Sequence, residues 1–254
     1  MYDMATRERA LALHRSGLTL SQVNRATGIS RHALRQWTIR AAPSPGRSAE
    51  CPARTPAALP PAPYAYLLGL YLGDGCLSEG RRGVYALRIA CAKAWPGLIE
   101  ECERTITAVL PANRTCRADA QGCVQVVSTS KHWPCLLPQH GPGKKHERPI
   151  VLAAWQQEIV DAHPWPLLRG LLHSDGCRIT NWATRTVGGV VRRHEYPRYF
   201  FTNTSADIVR LFTGTLDALG VEWKASRRPS GAVNISIARR AAVALLDEHV
   251  GAKW

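Results

Sequence analysis

Two carboxylates in this chain close apolar runs. Residues 67–75 read LLGLYLGDG and residues 168–176 read LRGLLHSDG, so Asp74 and Asp175 each end a helical stretch and are each followed by Gly-Cys. An Asp at a helix C-terminus lies among carbonyl oxygens that lack intrahelical partners, at the negative end of the helix dipole, where a cation is favoured. Two such ends side by side would gather two carboxylates and the Gly73 and Ser174 carbonyls. That donor set is all hard oxygen and suits Mg²⁺, which can activate water. One Asp-Gly pair alone also fits an ordinary helix stop followed by a turn. The glycine after each Asp suits a left-handed C-cap.

The elements around the two pairs repeat. Asp74 and Asp175 are 101 residues apart, too far for a solenoid repeat and right for two copies of a small subdomain. In each copy the expected order is helix, strand segments, amphipathic helix, strand pair and closing helix. The strands following each Asp-Gly fall at 84–92 and 196–202, the amphipathic helices at 96–109 and 206–219. The closing helices fall at about 149–160 and 239–250. Ile208, Leu211, Phe212, Leu216 and Leu219 keep helical spacing and stop at Gly220. Helices with antiparallel strands in this order indicate an α+β fold. Gly69 and Gly73 lie four apart, as do Gly170 and Ser174, and residues four apart share a helix face. A face of small residues lets two helices approach backbone to backbone.

Composition narrows the partners. Lys and Arg number 33 against 19 Asp and Glu, a net charge of +14, and such a surface attracts polyanions, nucleic acid first among them. No apolar run is long enough to span a bilayer and no basic amphipathic helix reads as an anchor, so a membrane partner is not expected. The N-terminus lacks the apolar run of a secretory signal, so a cytoplasmic, nucleoid-associated protein is expected. The eight cysteines contain no Cys-x-x-Cys pair. A metal site could be built from Cys116, Cys123, His132 and Cys135, but their spacing matches no common zinc pattern and ordinary thiols are the alternative.

Three regions follow from pattern and proline content. Residues 1–40 read as three short helices broken at Gly17 and Gly28, with Ser30 capping the third. They resemble a helix-turn-helix module, whose third helix would present Arg31, His32, Arg35 and Gln36 to DNA. A small helical interaction domain is the alternative. Residues 41–63 hold seven prolines and read as an extended linker. Residues 64–160 and 161–254 would form the two halves of the duplicated core.

The nonapeptides at 67–75 and 168–176 resemble the LAGLIDADG motif of the DOD-type homing endonucleases. The stretch FFTNTSADIVRLFTGTLDALGVEW, residues 200–223, is similar to the strand, Thr-Ser turn, helix and Leu-Gly end that follow that motif. The resemblance covers roughly residues 64–254 and implies the single-chain, two-motif form, a pseudo-two-fold αββαββα duplication acting as a monomer. It implies a sequence-specific double-stranded DNA endonuclease, metal-dependent through Asp74 and Asp175, with Mg²⁺ and no organic cofactor. Leu72 and His173 replace the motif's first Asp, which is not a metal ligand in the family. A basic residue beside each carboxylate is also implied, at the start of the closing helix. The first copy offers Lys144, Lys145, His146 and Arg148, with Lys145 the catalytic candidate; a basic loop on phosphate is the alternative. The second offers Arg239 and Arg240, where Arg240 suits a phosphate clamp because a guanidinium does not lose its proton.

Strands laid in the major groove would present Arg88 and Lys93 in the first copy, and Arg198, Thr202, Asn203, Lys224, Arg227 and Arg228 in the second. A long hairpin between Arg178 and Tyr196 would add Arg185, Arg192 and Arg193 as phosphate contacts, alongside Lys144. Any exposed strand face is polar, so each residue taken singly has the plain reading of a solvated side chain. A non-cleaving transcription regulator on the same fold is the alternative function. Such regulators have typically lost the two terminal carboxylates, which are retained here.

Overall fold

The computed structural model describes residues 4–39, 51–54 and 58–254, and the chain divides into two units, 1–50 and 51–254. Most of the expected proline linker, residues 41–50 and 55–57, lies outside the described residues, as does residue 40.

In the first unit α1 (Met4–Arg15), α2 (Leu20–Thr27) and α3 (Arg31–Ile39) pack around Ala10, Val23, Ile29 and Leu34. Thr19 caps α2 reciprocally with Gln22, satisfying helix-end N–H groups. Gly28, at φ 69°, makes the left-handed turn into α3. Arg31, His32, Arg35 and Gln36 all face solvent.

The second unit is built on two halves. The first runs α4 (Pro61–Asp74), β1 (Gly75–Glu79), β2 (Tyr85–Ala92), α5 (Pro96–Val109), β3 (Thr115–Ala120), β4 (Cys123–Ser130) and the short α6 (Trp133–Leu136). After a connecting helix, α7 (Ala154–Ala162), the second runs α8 (Pro164–Asp175), β5 (Gly176–Val187), β6 (Val190–Asn203), α9 (Ala206–Ala218), β7 (Lys224–Arg227), β8 (Val233–Ile237) and α10 (Arg240–His249). The two antiparallel sheets have the same order, β1-β2-β4-β3 and β5-β6-β8-β7. Each packs one face on helices, through Leu77, Leu87, Ile89 and Val126 in one sheet and Tyr199, Phe201, Ile235 and Ile237 in the other.

α4 and α8 lie against each other at the centre. α4 is apolar all round, and every residue from Tyr64 to Leu72 is buried, as a helix enclosed on all sides requires. The small-residue face does what its spacing implies. A Cβ on Gly69 would stand 2.6 Å from the Leu167 carbonyl oxygen and 2.8 Å from the Gly170 Cα, and one on Gly170 would meet the Tyr66 carbonyl. Across this seam the Tyr66 hydroxyl lies 2.9 Å from His173 Nδ1. Both residues at the motif's first-Asp position, Leu72 and His173, are buried.

Three expectations are corrected. The glycines after the two Asp residues are extended, Gly75 at φ −93° and Gly176 at φ −106°. They are required by crowding instead: a Cβ on Gly75 would lie 2.5 Å from the Tyr71 Cα, and one on Gly176 2.8 Å from the Leu172 Cα. The closing helix of the first half is α6, directly after β4, as α10 directly follows β8; the helix expected at 149–160 is the connector α7. The core also begins before residue 64, since α4 starts at Pro61, a good first helical residue, and Leu59 is buried in the core.

Candidate active site

The site lies where α4 and α8 end together. A Cβ on Gly73 would overlap the Ser174 side chain and stand 3.2 Å from Asp175 Oδ2, so the small residue there lets the two ends meet. Asp74 and Asp175 face each other closely enough to repel. Burial, then the charge of Asp74, pushes Asp175 up to about 6, while Asn203 and two lysines oppose the shift. Asp74 is also raised by burial, with Lys253 and Lys145 acting in the opposite direction.

Lys145 caps α4. Its Nζ donates to the carbonyls of Tyr71 (2.6 Å), Leu72 (2.9 Å) and Gly73 (2.6 Å), three of the helix's last acceptors. Burial lowers it to about 8, with Asp175 and Asp74 favouring the ammonium, so it is cationic at neutral pH. Its loop is tied by Arg148, whose Nε donates to Gln139 O at 3.1 Å and whose Nη1 donates to Gly143 O at 2.6 Å. Lys144, beside it, is exposed and pairs with Glu147 at 3.7 Å.

The second copy's lysine is Lys253, which sequence reasoning missed. Its Nζ donates to Ser174 O at 2.8 Å, and Asp74 and Asp175 hold up the charge that burial lowers. Next to it, the Trp254 ring lies under the Arg169 guanidinium at 5.4 Å and meets the His173 ring edge-on at 5.5 Å, with the Trp254 carbonyl accepting from Leu98 N–H. The signal was present: Gly143-Lys144-Lys145 and Gly251-Ala252-Lys253 share a Gly-x-Lys, and both glycines are left-handed, at φ 73° and 75°. The expected order puts the basic residue before the closing helix, whereas it follows that helix in both halves. Arg240 stands instead on the helix-covered side of its sheet and lines a groove with Gly220, Glu222 and Arg239. It therefore neither joins the carboxylates nor lies on the open sheet face.

A cleft of about 340 Å³ opens beside the pair, lined by Gly73, Lys145, His146, Asp175, Thr202 and Asn203 among others. Asn203, expected to read DNA, turns to the site: its Nδ2 donates to Asp175 Oδ2 at 2.6 Å while its Oδ1 accepts from Ser205 N–H. Strand register puts Cys91 at the matching place in the first half, so Asp74 has no equivalent amide. The Gly73 and Ser174 carbonyls, expected as metal ligands, accept from the two ammonium groups. The oxygens left for a cation at the helix ends are therefore those of Asp74 and Asp175, of which Asp175 lines the cleft. Two carboxylates close enough to repel each other are a donor set a divalent ion neutralises, so the residues present fit one. Cys116, Cys123, His132 and Cys135 form no such site; among the described residues no three His, Cys, Asp or Glu cluster as metal ligands.

The other expected DNA contacts divide by face. Arg88, Arg185, Arg192, Arg198 and Lys224 lie on the open faces of their sheets, opposite the helices. Arg193 and Arg227 have the opposite parity, and Arg228 sits in the β7–β8 turn. Lys93 is paired with Asp119 at 3.0 Å. No helix among the described residues is long and apolar enough to cross a membrane.

This pseudo-two-fold arrangement, two sheets joined through abutting helices that end in paired carboxylates, is the fold of the LAGLIDADG homing endonucleases. Solved structures of the homing endonuclease I-DmoI share it. Its mesophilic variants match at 15% identity and TM-score 0.50, over 74% of this chain and 90% of that one. Its complex with DNA and Mn matches at 14% identity and TM-score 0.50, over 75% and 97%. A doubly substituted variant on nicked target DNA matches at 15% identity and TM-score 0.50, over 76% and 97%. No protein-family model matches the chain, and no curated protein does.

Proposed function

We propose that this protein is a sequence-specific double-stranded DNA endonuclease of the homing type, cutting by metal-dependent phosphodiester hydrolysis. One observation carries the reading: Asp74 and Asp175 meet at the ends of two abutting helices, and each end is capped by a lysine, Lys145 or Lys253. The fold shared with I-DmoI, crystallised with DNA and Mn, supports it.

Asp74 and Asp175 would hold Mg²⁺, which supplies a Lewis acid and an activated water at the scissile phosphate. Asn203 fixes the Asp175 carboxylate by donating to one of its oxygens. Lys145, cationic at neutral pH, and Lys253 offset the charge of a phosphodiester drawn to two carboxylates, in a half-buried site where such interactions are strengthened. The open sheet faces would contact the duplex on either side, and the net charge of +14 supports a polyanionic partner. The first unit adds a second DNA contact through Arg31, His32, Arg35 and Gln36, raising affinity by effective concentration. By its internal duplication the chain would act as a monomer, in the cytoplasm on the nucleoid.

The test is cleavage of a randomised duplex library with Mg²⁺ by wild type and by Asp74→Asn and Asp175→Asn. Cutting by wild type alone supports the reading. A defined footprint in cells that is equal in all three proteins, with no cutting by any, would identify a regulator instead.

A further inference from the structure

The hairpin of the second half reaches well beyond its sheet. β8 pairs with β6 only over Tyr199–Asn203, so from Val190 to Arg198 the strand's only partner is β5. β5 runs 11 residues past Gly176 to Val187, whereas β1 runs 4 past Gly75 to Glu79. The extra length amounts to about 23 Å at the rise of a strand, or roughly seven base pairs of duplex.

One face of this arm is cationic and aromatic. Arg192, His194, Tyr196 and Arg198 alternate along β6 and so share a side, and Arg185 stands directly opposite Arg192. The His194 and Tyr196 rings stack at 6.2 Å, and the Arg198 guanidinium lies over Tyr196 at 5.7 Å and over Phe200 at 5.0 Å. Neither strand has an Asp or Glu on this side. Like charges facing each other across a strand pair are destabilising unless an anion joins them. Near the base of the same face, Arg198 Nε and Ser236 Oγ are buried with no hydrogen-bond partner in the protein. The other side is self-satisfied: Glu195 accepts from Arg193 at 2.7 Å, and that guanidinium sits over Trp182 at 5.1 Å, which stiffens the ribbon. The first half has no counterpart, for Arg88 is the one basic strand residue on its sheet's open face.

We infer that the arm grips duplex DNA outside the reach of the first half, so that the protein's hold on DNA is longer, and more salt-sensitive, on one side of the paired carboxylates. Arg185 and Arg192 would hold phosphates, while Tyr196 and Arg198 would lie in the groove. The inference rests on the DNA-binding reading above and adds to it an asymmetry of footprint.

A duplex selected by the full-length chain from a random library would be footprinted with hydroxyl radicals, for wild type and for Arg185→Ala/Arg192→Ala. Both substitutions are exposed and remove a repulsion, so the fold is retained, which the thermal transition checks. The wild-type footprint should be lopsided about its centre, and the double variant should lose the outer part of the longer side alone. The slope of log K against log salt should flatten by about 1.8, or about 0.9 for each phosphate that the variant no longer neutralises. Binding with a symmetric footprint, or an unchanged slope in the variant, would overturn the inference and leave the DNA-binding reading standing. No binding by wild type at low salt would overturn both. Wild-type retention on phosphatidylserine vesicles that the double substitution abolishes, with DNA binding unaltered, would assign the arm to a lipid surface and also overturn it.

Discussion

Replacing Asp175 by Asn should stabilise the protein at alkaline pH while removing its metal. Burial and the neighbouring Asp74 raise the Asp175 carboxyl from 3.8 to about 6. A carboxyl whose pKa is higher folded than unfolded favours folding when protonated. That contribution is complete below the unfolded value and disappears as pH rises through about 6. A shift of roughly two units corresponds to about 3 kcal/mol at 1.36 kcal/mol per unit. Asn keeps the shape and can still accept from Asn203, so Asp175→Asn should be more stable than wild type by about 1–3 kcal/mol at pH 8, with the gap closing below pH 4. Urea unfolding followed by tryptophan fluorescence reads this directly, since seven of the eight tryptophans lie in residues 51–254. Mg²⁺ should stabilise wild type and leave the variant unchanged. A variant less stable than wild type at pH 8, or a gap that does not depend on pH, would refute the reasoning.

Other outcomes follow from the same geometry. Lys145→Met should lower the cleavage rate by about 10²–10³-fold with DNA affinity little changed, the range seen when one charge-stabilising donor is removed, and Lys145→Arg should restore part of it. Lys253→Met should act in the same direction, whereas Arg240→Met should leave cleavage at the wild-type rate; single-turnover kinetics separate the three. Mg²⁺ affinity, measured by calorimetry, should fall as pH drops through about 6, because Asp175 must lose its proton to bind a metal. Gly69→Ala should cost about 1–3 kcal/mol or more in thermal unfolding, because its Cβ meets the backbone of α8, which has no rotamer to relieve the overlap.

Much of this architecture was legible because local and global signals agree. The Gly69/Gly73 and Gly170/Ser174 spacing gave the helix seam, and the offset between the two Asp-Gly pairs gave the duplication. Register was harder. Gly75 and Gly176 look like left-handed caps, but only the packed turn shows that they are glycines because the preceding helix leaves no room for a Cβ. Lys253 was hidden by an assumed order of elements: α6 has four residues, too few to show periodicity, so α7 took its place as the closing helix. Face assignments such as that of Arg193 depend on strand parity, which a hairpin reveals only once its turn is fixed at Gly188-Gly189.

The central claim is that Asp74 and Asp175 together hold divalent cations at a phosphodiester. Crystals of the protein with its selected duplex, grown with Mn²⁺, would locate the ions by anomalous scattering. Mn²⁺ peaks within coordination distance of oxygens from both carboxylates and of a DNA phosphate are the expected result. Ions bound elsewhere, or none at the helix ends while DNA is bound, would contradict it.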